Sequence, residues 1–191
     1  MRHLTTLLSV CIPLLLAAQH FAPLGARWTY TQGHVSGPEQ NLAILEVTGD
    51  TVIAGDSYRK IDLLEGVEDC FHIPRFLRES NDSLYYWNAH DERPYLFFRW
   101  NADVGDNWQT VIATASTDND TLDWTVTGTG LLNVDGLELR QWNVTITSRQ
   151  GIHSILNQQV TELLGPATTP FAWVPGFCDV ETYPGLRCYS D

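Results

Sequence analysis

The sequence predicts an all-β protein: a single domain of about ten mostly antiparallel strands in meander order, forming a curved sheet or a partly open barrel or sandwich. Three observations lead to this fold class. Apolar and polar residues alternate with a period of two along most of the chain. Turn-forming tetrapeptides separate these runs at short intervals. No segment after the first twenty residues keeps a helical period for three turns.

The first nineteen residues are typical of a secretory signal peptide rather than of a buried first element. Arg2 supplies a short positive region, and the apolar run that follows ends in Ala17-Ala18-Gln19, where small residues suit a signal peptidase. The run is shorter than the roughly 20 apolar residues of a transmembrane helix. We therefore expect a signal peptide at 1–19, a single β-rich domain at 20–191 without a transmembrane segment, and a protein that is secreted or lies on the outer cell surface.

The turns between strands are predicted from clusters of Gly, Asp, Asn and Ser. The Asp135-Gly136 pair is the clearest, because it suits the tight turn of a β-hairpin. The region 65–74 is the least regular and has room for a short helical turn, and the proline-rich region from Pro166 onward reads as an ordered loop. The predicted turns, in chain order, are 48-TGDT-51, 54-AGDS-57, 80-SNDS-83, 103-DVGD-106 and 134-VDGL-137.

Alternation also assigns the faces of the strands. In 121-TLDWTVTG-128 and 138-ELRQWNVTITS-148 the tryptophans fall on the apolar face, so Trp124 and Trp142 are predicted core residues. The strand 84-LYYW-87 differs because it carries aromatic side chains on both faces. Either Tyr85 and Trp87 or Tyr86 then face solvent. We take Tyr85 and Trp87 as candidate binding residues, with packing against a neighbouring loop as the alternative.

The chain is acidic, with 23 Asp and Glu against 11 Lys and Arg, and Lys60 is its one lysine. Removal of Arg2 with the signal peptide leaves ten basic side chains and a formal charge of −13. Nucleic-acid affinity comes largely from neutralising phosphates with basic side chains. The composition therefore argues against a nucleic-acid partner and indicates solubility.

Three cysteines follow the signal peptide: Cys70, Cys178 and Cys188. Export makes a disulfide chemically reasonable. Cys178 and Cys188 are close in sequence, and Pro184-Gly185 between them can reverse the chain, so we predict a Cys178–Cys188 disulfide. Cys70 is then expected to be a buried free thiol.

No catalytic residue, metal ligand or cofactor is assigned by motif. The sequence has no G-x-S-x-G, no H-E-x-x-H and no C-x-x-C. The carboxylates of 117-TDNDTLD-123 favour a solvated hairpin tip over a calcium loop, because the glycine and closing glutamate of an EF-hand are missing. The cluster of Glu68, Asp69, Cys70 and His72 is a weak metal candidate. Paired carboxylates for glycoside hydrolysis stay open, since they meet in space rather than in sequence.

Several segments, taken in order, resemble the N-terminal β-rich module of secreted Bacteroidetes proteins, many of which are type IX secretion cargo of unknown function. Each segment alone is a common pattern, and it is their order that carries the resemblance. The family has no assigned activity, so the resemblance implies a β-rich fold and export, not a reaction. The segments are 21-FAPLGARWTY-30, 49-GDTVIAGDSYRKI-61, 77-LRESNDSLYYW-87, 97-FFRWNADVGDNW-108, 162-ELLGP-166 and 186-LRCYSD-191.

Three functions are compatible with these observations. The first is a secreted, non-enzymatic β-domain that binds or scaffolds, with a glycan or an apolar small molecule as ligand. The second is a secreted glycan hydrolase whose carboxylates are assembled in space, which requires two Asp or Glu side chains in one cleft. The third is a structural module of a longer surface-anchored protein.

Overall fold

The all-β prediction is confirmed by a computed structural model, which describes residues 21–34, 40–66, 73–113, 119–149, 156–167 and 181–191. These residues form twelve strands, where the sequence predicted about ten, and none of them is helical. The strands are β1 (Arg27–His34), β2 (Gln40–Ile53), β3 (Asp56–Glu65), β4 (Phe76–Ser80), β5 (Ser83–Asn88), β6 (Arg93–Arg99), β7 (Asn107–Ala113), β8 (Asn119–Val134), β9 (Leu137–Ser148), β10 (Leu156–Thr161), β11 (Gly165–Pro166) and β12 (Glu181–Ser190).

The strands form two curled antiparallel sheets rather than one. The seven-stranded sheet has the order β12-β1-β2-β3-β4-β5-β6, and the five-stranded sheet has the order β11-β10-β9-β8-β7. Successive strands are neighbours within each sheet, as a meander requires. The exception is β12, which returns from the end of the second sheet to pair with β1. Alternation could not reveal this division, because it reports which face of a strand is buried and not which sheet the strand joins.

The inner faces of the two sheets share one aromatic core. Phe98 of β6 lies 6.1 Å from Trp124 and 5.3 Å from Trp142, measured between ring centroids. Trp124 and Trp142 are both 0% exposed, which confirms their predicted place. Indole N–H groups also join the sheets, since Nε1 of Trp28 donates to the main-chain oxygen of Leu164 at 3.0 Å. Burial of these large side chains is the main source of stability.

Four of the five predicted turns are confirmed. Ala54-Gly55, Asn81-Asp82 and Asp135-Gly136 all have positive φ angles at both positions, as a two-residue hairpin turn requires. At the fourth, the main-chain nitrogen of Asp106 donates to the oxygen of Asp103 at 3.0 Å. These turns connect neighbouring strands or, for 103–106, lead from the first sheet to the second.

The predicted turn at 48-TGDT-51 is wrong, because β2 runs through it without a break. The register between β2 and β3 shifts between Val47 and Gly49, so that Thr48 forms a bulge. A bulge absorbs one extra residue and lets the ladder continue. The hydroxyl of Thr48 donates to the Asp62 carboxylate at 2.6 Å, which replaces part of the hydrogen bonding that a bulge disrupts.

Several sequence predictions fall outside the described residues. These are the signal peptide, the irregular segment with Glu68, Asp69, Cys70 and His72, and most of the proline-rich region, including Cys178. In the part of the chain that the structure describes, no helix has the length and apolar character that crossing a membrane requires.

Candidate functional site

The hairpin of β4 and β5 places aromatic and basic side chains on the outer face of the seven-stranded sheet. Its turn sets Ser80 opposite Ser83, and the register then pairs Arg78 with Tyr85 and Leu77 with Tyr86. Leu77 and Tyr86 are buried in the core. Because neighbouring residues of a strand point to opposite faces, Arg78 and Tyr85 lie on the outer face.

Four side chains on this outer face form what we call the outer aromatic cluster: Tyr58, Arg78, Tyr85 and Trp87. The Arg78 guanidinium lies 5.5 Å from the ring centroid of Tyr58 and 5.4 Å from that of Tyr85. Trp87 meets Tyr58 edge to face at 5.9 Å. A guanidinium at this distance from two rings is attracted by both, so the arginine is held in place.

Tyr58 is the centre of the cluster. Its side chain is 1% exposed although it does not belong to the hydrophobic core between the sheets. Burial raises the pKa of its hydroxyl, the Arg78 charge lowers it and the Asp56 charge raises it further, so the phenol stays protonated at neutral pH. Among the described residues, neither this hydroxyl nor Nε of Arg78 has a hydrogen-bond partner, although both atoms are buried. Buried polar atoms without partners are costly, so an acceptor that reached both donors would stabilise this cluster.

A cleft of about 300 Å³ lies between β3 and β4, mainly on the face that carries Leu77; neither Tyr85 nor Trp87 lines it, and we call it the β3–β4 cleft. Within the described residues, the ladder between β3 and β4 has two residue pairs, Arg59 with Leu77 and Lys60 with Phe76. At the start of β3 the two strands no longer pair, and the cleft opens there. Its walls come from β2 to β5 and from the segment before β1, and include Phe21, Asp50, Tyr58, Arg59, Arg78 and Glu79.

Charged groups of both signs line or border this cleft. Arg59 forms an ion pair with Asp50, and Arg78 forms one with Asp56. Glu79 accepts a hydrogen bond at 3.1 Å from the main-chain nitrogen of Phe21. The cleft therefore offers guanidinium donors and carboxylate acceptors mainly on the face that carries Leu77, whereas Tyr85 and Trp87 lie on the opposite face.

The structure brings the two predicted binding residues to the same face. Tyr85 and Trp87 are half-buried on the outer face, whereas Tyr86 is buried. Sequence analysis missed Tyr58 and Arg78. Arg78 could have been found, because the predicted turn at 80–83 already implies that it lies opposite Tyr85. Tyr58 gave no such signal, since its position depends on how β3 lies against β4.

Within the described ranges, the remaining sequence candidates are not assembled into a site. Cys188 is exposed, and its predicted partner Cys178 lies outside the described residues, so the disulfide stays a prediction. Asp120 is buried and accepts a hydrogen bond at 2.7 Å from the hydroxyl of Ser148. Asp123 is instead paired with Arg149. Over the described ranges, no group of three His, Cys, Asp or Glu side chains is arranged to hold a metal ion.

The fold and the site together define an all-β protein of two antiparallel sheets, with an aromatic and arginine cluster on the outer face of one of them. No protein-family model, curated protein sequence or solved structure matches the chain. Folds of this type host many functions, so function has to follow from the chemistry of the site.

Proposed function

We propose that this protein is a secreted or surface-exposed, non-enzymatic β-domain that binds glycans through the outer aromatic cluster. The observation that carries the proposal is the position of Tyr85 and Trp87, which stay half-buried on an outer face beside the Arg78 guanidinium. Large aromatic side chains are otherwise placed in the core, where they stabilise most.

The chemistry of a sugar matches both parts of this surface. One face of a pyranose ring carries C–H groups that pack on an aromatic ring, and its rim carries hydroxyl groups that donate and accept hydrogen bonds. Trp87 and Tyr85 supply rings for the first kind of contact. Arg78 and its partner Asp56, on the same face, supply a donor and an acceptor for the second. The predicted signal peptide supports a place outside the cell, where glycans are abundant.

The carboxylates of the β3–β4 cleft are engaged within the protein. Asp50 is paired with Arg59, and Glu79 accepts from the main chain of Phe21. A general acid has to hold and release a proton, which carboxylates engaged in this way do not favour.

The test is a glycan array followed by titration of each retained glycan against the purified protein. Trp87→Ala is expected to weaken binding about tenfold or more, the equivalent of about 1.4 kcal/mol, because central aromatic contacts dominate binding energy. The matched control is Leu131→Ala, which removes an exposed apolar side chain, 62% exposed, from the other sheet. Equal affinities of the two variants, or no retained glycan, would contradict the proposal.

A glycan hydrolase is the second candidate, because Asp50 and Glu79 line one cleft. Two carboxylates flanking a glycosidic bond are what such enzymes require. Release of reducing ends from the retained glycans, lost in both Asp50→Asn and Glu79→Gln, would establish hydrolysis. Binding without release favours the first proposal.

A further inference from the structure

The cationic part of the site is fixed by its surroundings. The Arg78 guanidinium is held between the rings of Tyr58 and Tyr85, and its side chain is 22% exposed. Arg59 lies on the opposite face of the sheet from Arg78, because it pairs with Leu77. A guanidinium that is already in place loses little freedom when a ligand binds, and its planar fork suits the two oxygens of a carboxylate.

The anionic partners of these two arginines are less firmly held. Asp56 is 50% exposed against 22% for Arg78, and Asp50 is 53% exposed against 36% for Arg59. Both aspartates belong to the β2–β3 hairpin. Ion pairs with exposed carboxylates contribute little to stability. A carboxylate of a ligand can therefore take the place of either aspartate without a large loss elsewhere.

Two donor atoms without partners, the Tyr58 hydroxyl and Nε of Arg78, favour a ligand that accepts hydrogen bonds. The hydroxyl of Tyr58 can donate, and Nε of Arg78 can only donate. Both are buried and lack partners in the described part of the chain. One acceptor group that reaches both would remove the cost of leaving them unsatisfied. A carboxylate has the charge for the guanidinium and enough lone pairs for both donors.

We propose that the ligand is an acidic glycan, whose uronate carboxylate replaces Asp56 on Arg78 and accepts from Tyr58 while a sugar ring packs against Trp87. This inference rests on the proposed glycan-binding function and adds the substrate class. Asp56 then acts as an internal substitute for the ligand's carboxylate, which keeps Arg78 paired while the site is empty.

The first test compares one sugar chain in two charge states. Oligosaccharides of galacturonate and of glucuronate are titrated alongside their methyl esters, which keep the sugar and remove the charge. The acids are expected to bind at least about tenfold more tightly, as hydrogen bonds to charged groups imply. The difference should shrink as salt is added, since exposed charges are screened. Equal binding of acid and ester, or binding of neutral glycans alone, overturns this inference and leaves glycan binding standing. Binding of no glycan at all overturns both.

The second test uses variants with effects of opposite sign. Asp56→Asn removes the competing carboxylate and is expected to raise affinity for the acids by up to about fivefold, the equivalent of a surface ion pair. Arg78→Lys keeps the charge but loses the planar fork, and it is expected to lower that affinity by at least about tenfold. The matched control is Asp123→Asn, which breaks the exposed pair with Arg149 on the other sheet and should change nothing. Asp56 is exposed, so its variant is expected to fold, and weaker acid binding by Asp56→Asn would overturn the proposal.

Discussion

The outer faces of the two sheets are built from different residues. On the five-stranded sheet, small polar side chains hydrogen-bond across strands, as Thr145 does with Asn157 at 2.8 Å and Gln159 with Gln141 at 2.8 Å. On the seven-stranded sheet, the outer aromatic cluster occupies the corresponding place. Both faces border water, and the strands of both sheets alternate buried and outward-facing residues in the same way.

This difference separates two reasons for a residue to lie on an outer face. Threonine and amide side chains suit a solvated β-surface, because they form hydrogen bonds with one another and with water. Tryptophan and tyrosine on an outer face lose part of the burial that would stabilise them in a core. The five-stranded face is therefore explained by folding alone, and the seven-stranded face needs a further explanation, which ligand binding supplies.

The largest expected effect separates inner from outer tryptophans. Trp124→Ala removes a fully buried side chain and is expected to lower the free energy of unfolding by about 3–5 kcal/mol. Trp87→Ala removes a half-buried side chain and should cost about 1–2 kcal/mol. Urea denaturation of both variants measures the difference. If Trp87→Ala proves as costly as Trp124→Ala, the outer aromatic cluster is a second core, and the binding interpretation loses its main support.

The next prediction compares a glycine of each sheet. Gly66 and Gly136 both have positive φ angles, +106° and +88°. A Cβ at Gly66 would lie 2.9 Å from Oε1 of Gln32 and 3.0 Å from Cα of Ala43, whereas at Gly136 nothing lies within 4 Å. Gly136→Ala therefore adds backbone strain alone, about 1 kcal/mol, and Gly66→Ala adds a steric clash for a total of about 2 kcal/mol or more.

Thermal or urea unfolding of the two glycine variants tests this ranking. It sharpens the comparison because it asks whether the seven-stranded sheet is tightly packed at the C-terminal end of β3, the end opposite to the cluster. Equal losses would mean that the neighbours of Gly66 move aside easily, and that local looseness in this sheet is not confined to the β3–β4 cleft.

The sequence allowed a good prediction of what depends on neighbouring residues. Alternation placed Trp124 and Trp142 in the core, and hairpin chemistry located the turns at 54–57 and 80–83. From the second turn, the pairing of Arg78 with Tyr85 follows directly. The turn at 48–51 failed because Gly-Asp also occurs where a bulge passes through a strand, and only the partner strand decides between the two.

What the sequence could not provide depends on strands that meet only in the fold. The burial of Tyr58 requires that β3 lie beside β4, so that Arg78 and Trp87 cover the Tyr58 ring. The β3–β4 cleft exists because those two strands pair over two residues and then separate. Neither the length of a ladder nor the division into two sheets leaves a periodic signal, since both are settled by packing between distant segments.

The smallest expected effect concerns ion pairs on the two outer faces. Hydrogen bonds from Lys60 and Thr48 lower the pKa of Asp62 on the seven-stranded sheet, and a hydrogen bond from Arg149 lowers the pKa of Asp123 on the five-stranded sheet. A carboxyl whose pKa is depressed by folding stabilises the fold above its unfolded pKa of about 3.9. That contribution is lost as pH falls through the lower pKa of the folded state.

Unfolding of the wild type, Asp62→Asn and Asp123→Asn between pH 6 and pH 2.5 tests this behaviour on both faces. Each variant is expected to be slightly less stable than the wild type at pH 6 and to converge with it as the pH falls below about 4. A gap that stays constant or widens in acid would show that the carboxylate does not act through its charge. Similar convergence on the two faces would mean that their electrostatics are alike, which leaves the outer aromatic cluster as the feature that distinguishes the seven-stranded sheet.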